Sequence, residues 1–357
     1  MKLGIIGLPQ SGKTTVFNAL TGDDRPVGRM IGGGRFEVQQ AVVNVPDARV
    51  DWLADFYKPR KTVYAQVTYA DIAGLEGGQN PFSGPLLNIL AQMDGFLHIV
   101  RAFDDENVPH PLHSIDPVRD SSELDDELLL NDLLAVERKL ERLEDERNKG
   151  GGRDRAEIAN EQVLFSRLQS ILEDGNVLLT QNFTPDEQRM LSGYSLLTLI
   201  PKLNVYNTNE DGSGASAAVD ESLVAVRGKL EMEIAQLEPE EAALFLAEYD
   251  LSEPSLNRMI RLSYDLLHLQ SFFTVGEDEV RAWTMPAGAT APQAAATIHT
   301  DMYAGFIRAE VFTYAALKEH GSEVEIKSVG KWRLEGKEYV VQDGDIVSIR
   351  FSPPAKK

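Results

Sequence analysis

The chain has 357 residues, more than one compact core usually holds, so two or three domains are expected. Apolar residues make up 43% and charged residues 25%, as in ordinary globular proteins, and no window approaches the length of apolar chain that a membrane span needs. There are no cysteines, which excludes disulfides, thiolate metal sites and a cysteine nucleophile. The formal net charge of -21 disfavours an indiscriminate electrostatic grip on nucleic acid, although 35 Lys and Arg remain to form a local basic patch.

The chain opens on MKLGIIGLPQ, whose apolar run is too short and wrongly flanked for a signal peptide. It reads as a first strand over residues 2–7, and a cytoplasmic protein is the expectation. Residues 63–71 alternate and are rich in β-branched and aromatic types, a second strand. Residues 96–103 and 197–206 have the same character, with helical patterns between. Strands alternating with helices predict a mostly parallel α/β sheet.

The middle of the chain changes period. Leu129, Leu133, Val136, Leu140 and Leu143 form a heptad seam on a long, charged helix. The run NKGGGR at 148–153 stops it, and Ile158, Phe165 and Leu172 continue the seam on a second helix. The pair reads as an antiparallel helical hairpin. Residues 207–220 are polar and Gly/Ser-rich, a loop. Beyond about residue 275 the pattern is one of short strands, with Asp343-Gly344 marking a tight turn between two of them.

Gly7-Leu8-Pro9-Gln10-Ser11-Gly12-Lys13-Thr14 matches G-x-x-x-x-G-K-[ST], placed after a strand and before a helix. Gly7 and Gly12 let consecutive backbone N–H groups turn inward on a β-phosphate, with Pro9, Gln10 and Ser11 completing the cradle. The helix that starts at Thr14 and Thr15 adds the positive end of its dipole. Lys13 is placed to bridge β- and γ-phosphates, and the Thr14 hydroxyl to ligate Mg²⁺. Asp71-Ile72-Ala73-Gly74 ends the second strand. A carboxylate there supports the metal, and the Gly74 N–H reaches a γ-phosphate. Asn207-Thr208-Asn209-Glu210 follows a later strand where guanine-specific proteins of this superfamily carry N-K-x-D. Here Thr208 replaces the Lys and the longer Glu210 replaces the Asp, which weakens strict selection of guanine.

These stretches carry a resemblance. GIIGLPQSGKTTVFNALT, VPDARVDWLADFYKP, YADIAGL, LHIVRAF, IDPVRD, the N-x-x-E at Asn207 and the tail from KLEMEIAQLEPEEAALFLAEYDL to GKEYVVQDGDIVSIRF resemble the YchF family of Obg-related P-loop NTPases, the Obg-like ATPases, nearly from end to end. The resemblance implies an α/β nucleotide-binding domain over 1–120 and 196–275. It implies a helical coiled-coil insertion over 121–195 and a β-rich α+β TGS domain over 276–357. It implies a slow Mg²⁺-dependent ATPase that tolerates GTP and acts as a switch linked to translation. K⁺ is a candidate second cation. The implied partner is the ribosome or RNA, met through the helical arm and the TGS domain, with no membrane. Asn207 and Glu210 take the base-reading positions. The family's loop histidine, which orients or deprotonates the attacking water, maps onto His110, making His110 and Lys13 the catalytic residues. His98, on an apolar strand, reads as structural.

The sequence also departs from the family. Between Thr21 and Thr62 there is no Thr or Ser to close over the metal. Leu75 stands where Ras-like enzymes keep a water-positioning Gln. The segment EGGQNPFSGP is short, and Arg227-Gly228-Lys229 stands where S-A-K is common. The alternative reading is therefore a nucleotide-stabilised binding module or RNA adaptor that does not hydrolyse.

Overall fold

The computed structural model describes residues 1–22, 38–72, 84–149, 152–214, 224–249 and 253–352. Its strands in chain order are β1 (Lys2–Ile6), β2 (Val38–Asn44), β3 (Lys61–Val63), β4 (Gln66–Ile72), β5 (Gly95–Ala102), β6 (Lys202–Thr208), β7 (Val224–Val226), β8 (Leu269–Thr274), β9 (Glu279–Pro286), β10 (Phe306–Thr313), β11 (Arg333–Glu335) and β12 (Asp345–Phe351). The helices that matter here are α1 (Lys13–Thr21), α2 (Ala48–Tyr57), α3 (Pro85–Leu90), α4 (Pro117–Lys149), α5 (Arg155–Glu173), α6 (Pro185–Leu191) and α7 (Gly228–Ile234).

Among the described residues the strands form two six-stranded sheets, ordered β2-β4-β1-β5-β6-β7 and β11-β10-β12-β8-β9-β3. In the first, β1 pairs in parallel with β4 and β5, β5 with β6, and β6 with β7. This is the predicted mostly parallel α/β sheet. Parallel pairing brings the carboxyl ends of β1, β4, β5, β6 and β7 to one edge, where open α/β sheets bind ligands. One face packs Ile6, Ala70, Ile72 and Phe96 against Leu86 and Leu90 of α3 and Leu124 and Leu128 of α4. On α1 and α7, Val16, Phe17, Leu230 and Ile234 are buried. Each such side chain contributes about 1.5–3 kcal/mol of hydrophobic stabilisation.

The helical hairpin is present. Val136 and Leu143 of α4 are fully buried, and Ile158, Phe165 and Leu172 of α5 nearly so. Lys139 of α4 pairs with Glu161 of α5, and Glu146 with Arg153 just before α5, so ascending positions on α4 meet earlier positions in the returning chain, as an antiparallel pair requires. Midway along α4, Asp132 is completely buried. It accepts the N–H groups of Leu197 (2.9 Å) and Thr198 (2.7 Å) and the Thr198 hydroxyl (2.7 Å). Burial raises its pKa, against the opposing effect of those hydrogen bonds. The anchored turn at Leu197–Leu199 is 3₁₀-helical, so the strand expected from 197 starts instead at Lys202. The strand expected over 63–71 is likewise divided between β3 and β4.

The chain divides into two compact units: residues 1–41 with 68–256, and residues 42–67 with 257–357. This corrects the expected boundaries in two places. Residues 42–67, assigned from the sequence to the nucleotide-binding domain, belong with the C-terminal half. So does β8, which pairs antiparallel with β9 over Leu269–Thr274 and touches β12 in parallel. Within the second unit, β3 adds in parallel to β9. The core there is Phe272, Met285, Val311 and Val347 beneath Ala291, Ala294 and Ala295. Arg49 of α2 binds Asp47 at its own helix cap (2.8 Å) and Asp343 of the predicted Asp-Gly turn (2.5 Å). Burial lowers the guanidinium pKa, and the two carboxylates more than reverse that, leaving it raised. Gly344 of this turn has φ of 86°, as the tight-turn reading requires.

Candidate functional site

The loop between β1 and α1 has the backbone a phosphate cradle needs. Gly7, Gln10 and Gly12 have φ of 151°, 61° and 91°. At Gly7 a Cβ would lie 2.4 Å from the Ile99 carbonyl oxygen, and at Gly12 it would lie 2.1 Å from Asn207 Nδ2. Both positions therefore exclude a side chain by space as well as by φ. Gly12 caps α1 without a side-chain hydrogen bond. The first-turn N–H groups of a helix have no intrahelical acceptor, which makes the start of α1 a candidate anion site. Lys13 Nζ donates to the carbonyls of Gly7 (3.0 Å) and Leu8 (2.8 Å), which keeps the cation folded over the cradle.

The metal candidates come together. The Thr14 hydroxyl donates to Asp71 Oδ2 at 2.9 Å across the β1–β4 pair, with Asp71 only 7% exposed. Two hard oxygen donors beside a phosphate cradle suit Mg²⁺, which keeps several waters and takes few protein ligands along with substrate phosphates. Among the described residues no group of three or more His, Asp or Glu is arranged to hold a metal. The fit thus rests on Thr14 and Asp71.

Asn207 is buried at the end of β6 and straps the site. Its Nδ2 donates to the Ser11 carbonyl (3.1 Å), and its Oδ1 accepts the Gly228 N–H (3.0 Å). Its amide is thus committed to framework on both sides, and its role here is to position the loop. Thr208 is buried and donates to the Val226 carbonyl at 3.2 Å, so it does not cover a base as the usual Lys does. Asn209 Oδ1 accepts the Asp104 N–H (3.0 Å), joining the β5 and β6 ends. Glu210 is half exposed and forms an ion pair with Lys229 at 2.6 Å. The hydrogen bond to Glu210, with its charge, raises the Lys229 pKa.

His110 lies in a loop, as the sequence places it, and its ring is paired. Its side chain is 5% exposed, with Nε2 2.8 Å from Asp120 Oδ2. Nδ1 accepts the Leu112 N–H at 3.1 Å, which places the ring proton on Nε2. Asp120 is held in turn by Arg119, at 2.7 Å. Both ring nitrogens are occupied in this conformation, at the foot of α4. His98 is structural, as expected. It is 1% exposed, and burial pushes its pKa well down, with Lys202 and Lys13 adding to that. Gly74 and Leu75 lie outside the described residues, as do residues 23–37 of the stretch without Thr or Ser between Thr21 and Thr62.

Two contributors escaped the sequence reading. Phe103, just past β5, lies 3.7 Å from the position of a Gly12 Cβ, with the Arg101 guanidinium 4.4 Å from its ring centroid. Its signal was an aromatic residue at a strand end on the ligand-binding edge. Lys229 was visible in the R-G-K stretch, but its pairing with Glu210 was not.

The family model described as "50S ribosome-binding GTPase" matches residues 2–132, and the YchF-GTPase C-terminal model, described as "Protein of unknown function (DUF933)", matches residues 269–352. The chain is 39% identical to the Ribosome-binding ATPase YchF of Pasteurella multocida (strain Pm70), covering 98% of this chain and 99% of that one. The chain belongs to the YchF family. The Bacillus subtilis (strain 168) YchF is 37% identical over 98% of both chains. Obg-like ATPase 1 of Oryza sativa subsp. japonica is 35% identical over 99% of this chain and 92% of its own. The solved structure of the Schizosaccharomyces pombe YchF GTPase superposes with a TM-score of 0.83 at 30% identity, covering 98% of this chain and 97% of that one. YchF membership accounts for the joint presence of phosphate loop, Asp71 and N-x-x-E on one sheet edge. No described helix is long and apolar enough to cross a membrane.

Proposed function

We propose that this YchF protein is a Mg²⁺-dependent NTPase, preferring ATP and tolerating GTP, whose nucleotide state governs association with the ribosome. The observation that carries the reading is the Thr14–Asp71 contact of 2.9 Å beside the phosphate loop. It pairs a metal-ligand hydroxyl with its supporting carboxylate where a β–γ phosphate bridge would sit. Bound there, Mg²⁺ would neutralise charge developing on the phosphate oxygens. Lys13 leaves the Gly7 and Leu8 carbonyls to bind β- and γ-phosphate oxygens. The loop amides and the start of α1 hold the β-phosphate. Asn207 keeps the Ser11 side of the loop in register while Glu210 and Lys229 meet the base.

The names of the relatives, ribosome-binding ATPases and an Obg-like ATPase, support both the hydrolytic and the ribosomal parts of the reading. The helical hairpin and the C-terminal TGS-type domain are the proposed contact elements. Titration of ATP and GTP against wild type and Lys13→Ala, followed by ribosome co-sedimentation with ATP, ADP or no nucleotide, tests it. Selective loss of binding in Lys13→Ala, with sedimentation that changes with nucleotide, is the expected outcome. Equal weak binding by both proteins would remove the proposal.

A second reading, a nucleotide-stabilised binding module that does not hydrolyse, is favoured by one observation: both His110 ring nitrogens are engaged. Under the first reading His110 must leave Asp120 to orient a water. Single-turnover assays with Mg²⁺, with and without K⁺, separate the two. Phosphate release that disappears in His110→Ala counts against the binding module.

A further inference from the structure

The acid in the base-reading position carries a counter-ion. Glu210 stands two residues past β6 and Lys229 in the first turn of α7, just past β7, and their side chains meet at 2.6 Å. Both supporting segments are fastened. Asn209 is tied to the Asp104 N–H and, through its Nδ2, to the Ser213 hydroxyl at 2.9 Å. The Gly228 N–H is tied to Asn207. The ion pair therefore joins two anchored strand ends of the site. Glu233 and Asp105 are the other acids near Lys229, and both favour its charged form.

The chemistry of purine edges gives this pair a consequence. Held as in guanine-specific proteins, guanine turns two donors, N1–H and the 2-amino group, toward the acid. It needs two free carboxylate oxygens. Adenine in the same pose turns the N1 lone pair and a C2–H there, so a bare carboxylate faces it acceptor to acceptor. With Lys229 seated on Oε1, one carboxylate oxygen already accepts a charged hydrogen bond, and an ammonium donor lies beside the acid.

We propose that Lys229 is the purine-selecting residue of this site: its ammonium, held by Glu210, donates to adenine N1 and withholds from guanine the second acceptor. The proposal rests on the nucleotide-binding reading above. Guanine retains one bond, from N1–H to the other carboxylate oxygen, which accounts for tolerance of GTP.

The test measures Kd for ATP, GTP and ITP with wild type, Lys229→Met and Lys229→Arg. In Lys229→Met the ratio Kd(GTP)/Kd(ATP) falls about tenfold, the scale of one hydrogen bond to a charged group. ATP weakens and GTP tightens. ITP, lacking the 2-amino group, gains less than GTP. Lys229→Arg, which keeps a donor, retains the wild-type ratio. An unchanged ratio in Lys229→Met, or equal weakening of both nucleotides, overturns the proposal while leaving the nucleotide-binding reading standing. Failure of wild type to bind any of the three overturns both.

Discussion

Asn207 Nδ2 reaches the Ser11 carbonyl at 3.1 Å from a strand end 196 residues along the chain, while its Oδ1 takes the Gly228 N–H at 3.0 Å. One buried amide thus holds the phosphate loop against the start of α7. Asn207→Ala leaves a buried carbonyl and a buried N–H without partners. Stability is expected to fall by about 1–3 kcal/mol for each group left unpaired. Nucleotide affinity is expected to fall about tenfold or more as the loop loses its strap. Urea denaturation and calorimetric titration check the two effects. Unchanged affinity at reduced stability would confine Asn207 to a structural role.

The proposed metal site makes Asp71 the residue on which Mg²⁺ dependence should rest. Asp71→Asn keeps a hydrogen-bond acceptor for Thr14 but removes the charge that favours a divalent cation. The expected result is unchanged affinity in EDTA, with the gain that Mg²⁺ confers on the wild type largely abolished. Nucleotide titrations with and without Mg²⁺ read this directly. An equal Mg²⁺ gain in both proteins would take Asp71 out of the metal site.

His98 makes stability pH-dependent. Burial, reinforced by Lys202 and Lys13, holds its folded pKa well below 6.5, the ordinary value for a histidine. As pH falls through 6.5, the unfolded chain takes up a proton that the native state refuses. Stability contributed at neutral pH is therefore lost on acidification, by about 1.4 kcal/mol per pH unit below that value. The difference in unfolding free energy between wild type and His98→Asn should show this slope. A parallel pH dependence in the two proteins would contradict it.

Asp132 anchors the helical insertion to the sheet. Asp132→Ala removes the acceptor of three buried donors from Leu197 and Thr198. Each orphaned donor costs about 1–3 kcal/mol, so a severe loss of stability is expected. Guanidinium unfolding measures it. Exchange protection at the Leu197 and Thr198 amides should vanish in Asp132→Ala, and its persistence would show that other acceptors serve them.

Much of the site was legible because its chemistry is local. Gly7 and Gly12 at their spacing, Lys13 and Thr14, and Asp71 at a strand end each declare a role within a few residues, and the sheet then brings Thr14 to Asp71. His98 was legible from its apolar strand. The partners of His110 and Glu210 were not. A loop histidine and an acid in N-x-x-E look the same in sequence whether open to a ligand or paired, as these are, with Asp120 and Lys229. Nor was the allegiance of residues 42–67, whose α2 is bound through Arg49 to Asp343, 294 positions away.

By itself the sequence determined the phosphate loop, the helical hairpin and the family. The first depends on backbone conformations that only particular residues permit, the second on a seven-residue period, and the third on motifs read in order. Only the tertiary structure decided which sheet β3 and β8 join, which groups occupy the His110 ring, and that the base-reading acid holds an ammonium. Strand pairing and ion pairing are made between distant segments, and an alternating run or a charged side chain specifies a type of partner without specifying which one.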